Sequence, residues 1–364
     1  MAIGTLFSSC HDNIYEMISK EVALESNGIT GDIRSIVPFK KNLYLTNGFL
    51  YKKTGLSSTE TRQYNKQWAK ISTNGIDCDM IIYIASDETY LYALTADYEE
   101  NENDGENVEA SHTLYCSSDG TSWSKVDTSE FTSLKMRKVF DNQVQSYTTG
   151  TGVNTDSGRK AYLRVEDSGT YKLNGTAAPQ AVSGNNASSD SCMAATIDGS
   201  NDYFVSYYAL ASNYNTDIPT KLFYWSANGS TLYWGTDTAS ATGSVDLDDG
   251  SIYSISVTSS HLLLGTSSGI KRVAIDSSGV PSSSTEDFSG DNNAESLLTN
   301  RIYLTYVLDQ SKPEASSDEY AWMTIHYSIT SSSLSFDEIG LYSFYPGRGT
   351  WNRDGTADDS SDGN

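Results

Sequence analysis

The residues best suited to chemistry are four arginines near the starts of successive strand-rich repeats. They are Arg34, Arg137, Arg272 and Arg301. Three converging arginines can bind a carboxylate through charge-assisted hydrogen bonds. A glycoside hydrolase with such a site would add a pair of catalytic carboxylates. The alternative is that each arginine extends along apolar surface at a sheet edge to reach solvent, and the sequence context favours this second interpretation.

Other catalytic patterns are absent from the sequence. It contains neither the HExxH pattern of zinc peptidases nor a Gly-x-Ser-x-Gly turn, and no glycine-rich phosphate loop follows a predicted strand. The four histidines are His11, His112, His261 and His326. The last three lie in or beside predicted strands among Tyr, Leu or Thr, which is typical of hydrogen-bonded strand histidines. The sequence therefore predicts no catalytic residue and no required cofactor.

One acidic stretch resembles part of a calcium-binding loop. Glu100, Glu102 and Asp104 precede a glycine, and this spacing matches positions one, three, five and six of an EF-hand loop. Position one is ordinarily Asp, however, and position twelve, ordinarily Glu, falls on Ser111. We therefore expect a solvated hairpin tip, with calcium binding by these three carboxylates as the weaker alternative. The acidic turn at residues 246–250 is a similarly weak calcium candidate.

The most specific local pattern occupies residues 114–123. Its polar turn contains Ser117, Asp119 and Gly120, and the pattern ends on Trp123. The Asp119 carboxylate can accept backbone N–H bonds across such a turn, and Gly120 can adopt a positive φ. We expect Trp123 to pack between neighbouring sheets.

These residues resemble the Asp-box, or BNR repeat, of sialidase-like and sortilin-like β-propellers. In that family Ser-x-Asp-(x)-Gly-x-Thr-Trp forms the turn between the two outer strands of a blade, and this copy is one residue shorter than the longest form. Residues 224–234 and 341–351 resemble degraded copies, the first with Asn in place of the Asp and the second without it. The resemblance implies a structural role for the four residues named above, distant from any active site.

Strand-like alternation of apolar and polar residues recurs along the chain in units of about 40 to 60 residues. This rhythm is typical of a β-propeller, in which small twisted sheets stack around an axis because none can bury both faces alone. The units are too long for a β-helix, and no linker divides the chain into two β-sandwiches. We predict an all-β propeller of about six four-stranded blades, or seven if residues 320–329 begin a separate blade.

The composition indicates which partners are disfavoured and how the core of the domain can be filled. The chain has 24 Lys or Arg against 47 Asp or Glu, a net charge of −23, and its 25 Tyr and 6 Trp can fill a core. That charge disfavours nucleic acid and anionic membrane surfaces as partners. We predict a propeller at residues 31–353, an N-terminal anchor or linker at 1–30, and a disordered acidic tail at 354–364.

The first residues indicate a cellular location. Apolar and then small residues precede Cys10, in the order Leu6, Phe7, Ser8 and Ser9. This pattern resembles the lipobox of bacterial lipoproteins, including its relaxed spirochaete form. The apolar segment is shorter than that of a full signal peptide. We expect export to the periplasm or outer surface, with membrane contact through a lipid on Cys10.

These features favour an exported, non-enzymatic, monomeric propeller that binds a protein or glycan partner, with Tyr and Trp side chains available for the contact. One alternative is a sialidase-like glycoside hydrolase with carboxylates at the central channel. Another is an assembly scaffold related to outer-membrane protein biogenesis. Three clustered arginines beside paired carboxylates would favour the hydrolase, whereas an uncharged channel lined by Ser and Thr would exclude it.

Overall fold

Short runs of Leu, Ile, Val and Tyr that alternate with polar residues determine the local structure, because they suit the two faces of a strand. In the computed structural model, every regular element of the described residues is a β-strand. The described residues are 29–40, 42–54, 68–87, 89–100, 107–131, 136–141, 144–146, 160–165, 169–181, 194–196, 202–209, 221–226, 229–235, 241–257, 261–276, 280–288, 301–308, 320–325, 339–345 and 350–353. Within these ranges, no helix is long and apolar enough to cross a membrane.

The first half of the chain forms three antiparallel sheets of four strands. The first sheet contains β1 (Ser35–Phe39), β2 (Asn42–Thr46), β3 (Leu50–Thr54) and β4 (Ala69–Lys70). The second contains β5 (Met80–Ser86), β6 (Leu91–Glu100), β7 (Asn107–Ser117) and β8 (Ser124–Lys125). The third contains β9 (Met136–Asp141), β11 (Ala161–Val165), β12 (Gly169–Lys172) and β13 (Gln180–Ala181).

The fourth sheet departs from the predicted four-stranded pattern. Its main strands are β15 (Asp202–Ala209), β16 (Lys221–Ser226), β17 (Thr231–Gly235) and β18 (Ala241–Asp246). Two short strands also pair with β15, namely β10 (Val144–Ser146) in parallel and β14 (Ala194–Thr196) in antiparallel orientation. Because β10 comes directly after β9 in the chain, it links the third sheet to the fourth.

The last two sheets again have four antiparallel strands each. The fifth contains β19 (Ile252–Val257), β20 (His261–Thr266), β21 (Gly269–Ala274) and β22 (Glu286–Asp287). The sixth contains β23 (Ile302–Leu308), β24 (Tyr320–Ile325), β25 (Gly340–Tyr345) and β26 (Thr350–Arg353). The prediction of an all-β chain built from four-stranded antiparallel sheets is confirmed for the described residues, apart from the two added strands.

The first main strands of the six sheets, which we call the leading strands, are β1, β5, β9, β15, β19 and β23, and at four junctions they join neighbouring sheets. Contacts join β1 to β5, β5 to β9, β15 to β19 and β19 to β23. Apolar clusters fill the spaces between sheets, where burial stabilises the stack by about 25 cal/mol per Å². The buried members include Phe39, Ile84 and Trp123 between the first and second sheets, Leu94 and Leu163 between the second and third, and Trp225 and Leu264 between the fourth and fifth.

The first and last sheets are also neighbours. Leu341 N–H donates to the Ile29 carbonyl at 3.0 Å, and Gly31 N–H donates to the Ile339 carbonyl at 3.3 Å. Ile29 and Leu341 are both buried, in a cluster that also contains Ile36 of β1. The end of the predicted 1–30 linker is therefore bonded to the last sheet, which ties the two ends of the sheet series together.

Candidate binding site at the leading strands

Tyr83, in β5 of the second sheet, lies beside cations from the two neighbouring sheets. The guanidinium carbon of Arg34, which directly precedes β1, is 5.7 Å from the centre of the Tyr83 ring. The Nζ atom of Lys138, in β9, is also 5.7 Å from that centre. Both distances fall within the range of cation–π attraction. All three side chains are partly exposed, so three sheets together present one ring and two positive charges to solvent.

Hydrogen bonds between the leading strands hold these residues at one level. Ile84 N–H donates to Ser35 Oγ at 3.2 Å, and the tyrosine and the arginine directly precede these two residues. Ser86 N–H donates to Asp141 Oδ2 at 3.2 Å, and the tyrosine and the lysine each lie three residues earlier. Tyr83 and its cation are thus the same number of residues away from the hydrogen bond at each junction. This equal spacing explains why side chains far apart in sequence meet at one ring.

A second cation–tyrosine group lies at the leading strands of the fifth and sixth sheets. The Tyr253 and Tyr303 rings stack with their centres 5.8 Å apart and their planes 27° apart. The guanidinium carbon of Arg301 is 5.3 Å from the centre of the Tyr253 ring. Thr305 N–H donates to Ser254 Oγ at 2.8 Å and fixes the register of the two strands. This group lies at the beginnings of β19 and β23, just as Arg34 lies at the beginning of β1.

Each group combines a wide aromatic face with positive charge. A tyrosine ring can stack on the apolar face of a pyranose or on a planar group, and its hydroxyl can bond a sugar hydroxyl. Arg34, Arg301 and Lys138 can pair with a carboxylate, sulfate or phosphate, arginine in bidentate geometry. The arrangement is therefore suited to an anionic ligand that also presents a ring.

The turn after β7 is held by the Asp119 carboxylate. Its Oδ1 atom accepts the N–H groups of Thr121 at 2.7 Å and Ser122 at 2.8 Å, and the Ser117 hydroxyl at 3.0 Å. The bonds from Ser122 and Thr121 hold the pKa of the exposed Asp119 carboxyl below its ordinary value. Gly120 has a φ of 78°, in the left-handed region that favours glycine. This turn joins β7 to β8, the two outer strands of the second sheet.

The other two predicted arginines lie in β9 and β21. Arg272 lies in β21 and pairs with Glu286 at 2.8 Å on the outer edge of the fifth sheet. Arg137 is an exposed residue of β9, next to Lys138 in sequence. Of the four predicted arginines, Arg34 and Arg301 lie beside tyrosines of a neighbouring leading strand.

The acidic turn at residues 246–250 meets a cation of the protein itself. Lys271 Nζ lies 2.9 Å from Asp249 Oδ1 and 2.6 Å from Asp287 Oδ1. Burial alone would lower the pKa of Lys271, but the hydrogen bonds that its ammonium group donates to these two carboxylates raise the pKa overall. Within the described ranges, no group of three His, Cys, Asp or Glu side chains could hold a metal ion.

Several predicted residues lie outside the described ranges. They are Cys10, Glu102, Asp104, His11, His326 and the acidic tail at 354–364. Of the remainder, Glu100 is exposed at the end of β6 and His112 is buried in β7. The thiols of Cys78 and Cys116 are free, and burial raises the pKa of each to about 11.

Sequence reasoning singled out Arg34 and Arg301 but missed Tyr83, Lys138 and the Tyr253–Tyr303 stack. Each missed residue lies within a leading strand, and a Tyr or Lys is also common in ordinary strands. Their positions within these strands also differ, the fourth in β5, the third in β9 and the second in β19 and β23, so aligning the repeats by their strand starts would not have singled them out.

Comparisons with known proteins reveal only distant likenesses. No protein family matches the chain, and no curated protein matches it. Among solved structures, BBS1N in complex with ARL6DN is 10% identical over 82% of this chain and 76% of that chain, with a TM-score of 0.39. The extracellular domain of BT4673 from B. thetaiotaomicron is 9% identical over 92% of this chain but 43% of its own, with a TM-score of 0.45.

A third similar structure is the GH32 beta-fructofuranosidase BmSUC1 of Bombyx mori, 9% identical over 92% of this chain and 66% of that chain, with a TM-score of 0.37. These three structures are of β-propeller type. At such low identity and TM-score they carry no argument about this chain.

Proposed function

We propose that this protein is an exported, non-enzymatic β-propeller that binds an acidic glycan at one mouth of its central channel. Six sheets follow one another in the chain, and four pairs of neighbouring leading strands are in contact. The strand β10 joins the third sheet to the fourth, and backbone hydrogen bonds tie the first sheet to the last. A closed ring of six blades accounts for this contact pattern. In such a ring the leading strands run along the axis, so both cation–tyrosine groups face the same mouth.

The observation that carries the proposed function is the position of Tyr83 beside Arg34 and Lys138, 5.7 Å from each. A sugar acid would stack its ring on the tyrosine while its carboxylate pairs with one or both cations. The Tyr253–Tyr303 stack with Arg301 offers a similar surface at the same mouth, which suits an oligosaccharide longer than one residue.

The turn that contains Ser117, Asp119, Gly120 and Trp123 is, in this proposal, an Asp-box with a structural role. It bonds its own backbone and leaves ligand binding to the channel mouth. Export and lipid attachment at Cys10, with a periplasmic or outer-surface location and a monomeric state, also belong to the proposal. Binding by tyrosine and cation requires no cofactor.

Calorimetric titration with uronate-containing oligosaccharides, and with neutral oligosaccharides of the same length, tests this proposal. We expect the acidic sugars alone to bind, and Lys138→Glu and Tyr83→Ala each to weaken binding by about tenfold or more. Lys172→Glu is the matched control, because Lys172 lies in β12, two strands away from the leading strand β9 in the third sheet. It should bind as the wild type does.

Equal binding of neutral and acidic sugars would contradict the proposal, as would full binding by both site variants. Release of reducing ends from these oligosaccharides would overturn the non-enzymatic assignment. It would then favour a glycoside hydrolase at the same mouth.

A further inference from the structure

We propose that the Tyr253–Tyr303 stack is a preformed platform for one sugar ring of the ligand, and that the buried residue Thr305 is the positioning residue that holds this platform. The inference rests on the proposed function and names the part of the site that binds a ring rather than an acid group. Three observations carry it: a β-bulge at each tyrosine, a group of buried hydroxyls beside them, and a close approach of two strands at a glycine.

Each tyrosine is the extra residue of a β-bulge. In the pairing of β19 with β20, Tyr253 lies between two residues that pair with consecutive residues of β20. In the pairing of β23 with β24, Tyr303 occupies the same kind of position. A bulge redirects a side chain and is frequent beside functional sites. Both tyrosines are partly exposed, so both bulges present a ring at the surface.

The residues around each bulge show why its tyrosine is not needed for packing. Ile252 and Ile255 both lie in the apolar cluster between the fourth and fifth sheets, although residues three apart point to opposite faces of a regular strand. Ile302 and Thr305 are likewise three apart, and side-chain atoms of both lie close to the fifth sheet. The extra residue of each bulge therefore belongs to neither packed face and is left for contact with a ligand.

Three buried hydroxyl groups join the two bulged strands. Ser256 Oγ donates to Thr305 Oγ1 at 3.0 Å, and Ser254 Oγ lies 3.2 Å from the same atom. Thr305 Oγ1 itself donates to the Leu263 carbonyl at 3.4 Å. The three side chains are at most 7% exposed, so loss of the threonine hydroxyl would take a partner from buried polar groups, which is costly. This network lies within three residues of both tyrosines in the chain and fixes β23 against β19.

Gly265 of β20 allows a close approach at the same level. A Cβ atom there would lie 2.5 Å from Ser254 Oγ and 2.7 Å from the Ile302 carbonyl oxygen, so a larger residue would displace β19 or β23. The two tyrosine rings, with centres 5.8 Å apart, are within the range of stacked aromatic pairs. The packed backbone therefore sets the spacing of the rings.

A platform held in this way favours the binding of a ring. Stacking on it requires no ordering of either tyrosine, so the ligand does not bear that cost. Arg301, with its guanidinium carbon 5.3 Å from the centre of the Tyr253 ring, can pair with an acid group beside the stacked sugar. Loss of the Thr305 hydroxyl should weaken binding, because the two rings would then have to be ordered by the ligand.

Calorimetric titration of Thr305→Val with a uronate-containing oligosaccharide tests the positioning role on the full chain. We expect binding about fivefold weaker than that of the wild type, and recovery to within about twofold in Thr305→Ser, which keeps the hydroxyl. In a Tyr303→Ala background, Thr305→Val should have little further effect, because the two residues act as a unit. Ser117→Ala is the matched control: this hydroxyl is also buried and bonded, but it lies in the outer strand β7, and the variant should bind as the wild type does.

Hydroxyl-radical footprinting, measured by mass spectrometry, gives the exposure of Tyr253 and Tyr303 without any ligand. We expect oxidation of both tyrosines to rise in Thr305→Val and to stay at the wild-type level in Ser117→Ala. If Thr305→Val does not fold, Ser256→Ala removes one hydroxyl of the three and should show smaller changes of the same sign in both measurements.

Unchanged footprints at both tyrosines in Thr305→Val would overturn the positioning role, as would unchanged binding of the oligosaccharide. An equal loss of affinity from Thr305→Val in the wild-type and Tyr303→Ala backgrounds would show a general structural effect and would also overturn it. If the wild type binds no acidic oligosaccharide, the proposed function fails, and the footprints then decide the positioning role alone.

Discussion

Two junctions between sheets use a buried tyrosine in different ways. At the junction of the first and second sheets, Tyr44 of β2 is buried against the turn that follows β7, and a Cβ atom at Gly120 would lie 2.4 Å from the Tyr44 hydroxyl. At the junction of the second and third sheets, Tyr92 of β6 reaches the turn that follows β12. Its hydroxyl accepts the Gly175 N–H at 2.8 Å. Both tyrosines therefore meet a glycine in an outer turn of the next sheet.

The two junctions differ in what their carboxylates do. Asp119 accepts hydrogen bonds from the backbone of its own turn. Burial of the Tyr44 ring, and secondly the negative charge of Asp119, raise the pKa of Tyr44 to about 12. Asp87 instead accepts the Tyr92 hydroxyl at 2.7 Å, and burial together with Asp87 raises the pKa of Tyr92 well above its ordinary value. The first junction thus depends on close packing, and the second on a chain of hydrogen bonds.

This difference matters for the proposed binding site, because the two junctions flank the sheet that carries Tyr83. The first joins the sheet that Arg34 precedes to the sheet of Tyr83, and the second joins the sheet of Tyr83 to that of Lys138. A substitution that adds volume should therefore lower the free energy of unfolding most at the first junction. A substitution that removes a polar group should lower it most at the second.

Replacement of the turn glycines should give the largest contrast. Gly120→Ala introduces a Cβ atom 2.4 Å from a fully buried tyrosine at a φ of 78°, and we expect it to lower the free energy of unfolding by about 2–4 kcal/mol. Gly175→Ala, at a φ of 58°, meets the Tyr90 ring at 3.0 Å, and that ring is partly exposed and can shift. We expect a loss of about 1–2 kcal/mol there. Urea unfolding followed by tryptophan fluorescence measures both.

Gly31→Ala is the matched control for these variants, because Gly31 has a φ of 86° and nothing lies within 4 Å of its added Cβ atom. It isolates the backbone strain of about 1 kcal/mol. A Gly120→Ala variant no less stable than Gly31→Ala would show that Tyr44 is not tightly packed at the first junction.

Removal of the tyrosine hydroxyl should lower the free energy of unfolding more at the second junction than at the first, the reverse of the order for the glycine variants. Tyr92→Phe leaves the buried Gly175 N–H without its acceptor and Asp87 without its donor, and we expect a loss of about 2–3 kcal/mol. Tyr44→Phe keeps the packed ring and should cost less than about 1 kcal/mol. Urea unfolding of the two variants side by side compares them, and equal losses would refute the distinction between packed and hydrogen-bonded junctions.

The sequence alone predicted the turn at Asp119, but it did not predict that this turn packs against Tyr44 of the first sheet. Asp119, Gly120 and Trp123 lie within five consecutive residues, and local backbone chemistry makes such a turn recognisable. Tyr44 and Gly120 are on different sheets, and nothing in their separation along the chain signals a contact. The strand rhythm predicted the four-stranded sheets for the same local reason. It missed β10, which pairs with β15 across a long connection, and β14, which has only three residues.

The smallest effect in this comparison is the acid sensitivity of the Asp119 turn. The folded protein holds the pKa of Asp119 below its model-peptide value of 3.8, so the charged turn contributes stability above that pH and loses it as the pH falls below it. We expect Asp119→Asn to melt at a lower temperature than the wild type at pH 7, because it loses charge-assisted bonds. The difference should narrow as the pH is lowered from about 4 to about 2.5.

Asp127→Asn provides the comparison for this effect. Asp127 also has a lowered pKa, but through the hydroxyl and N–H of Ser129 alone, whereas Asp119 accepts bonds from three residues and faces the first junction. The difference in melting temperature between Asp127→Asn and the wild type should therefore be smaller at pH 7 than that for Asp119→Asn. It should narrow over the same pH range. If the gap for Asp119→Asn stayed constant down to pH 2.5, the turn would owe its stability to shape rather than charge. The first junction would then rest on packing alone, in sharper contrast to the hydrogen-bonded second junction.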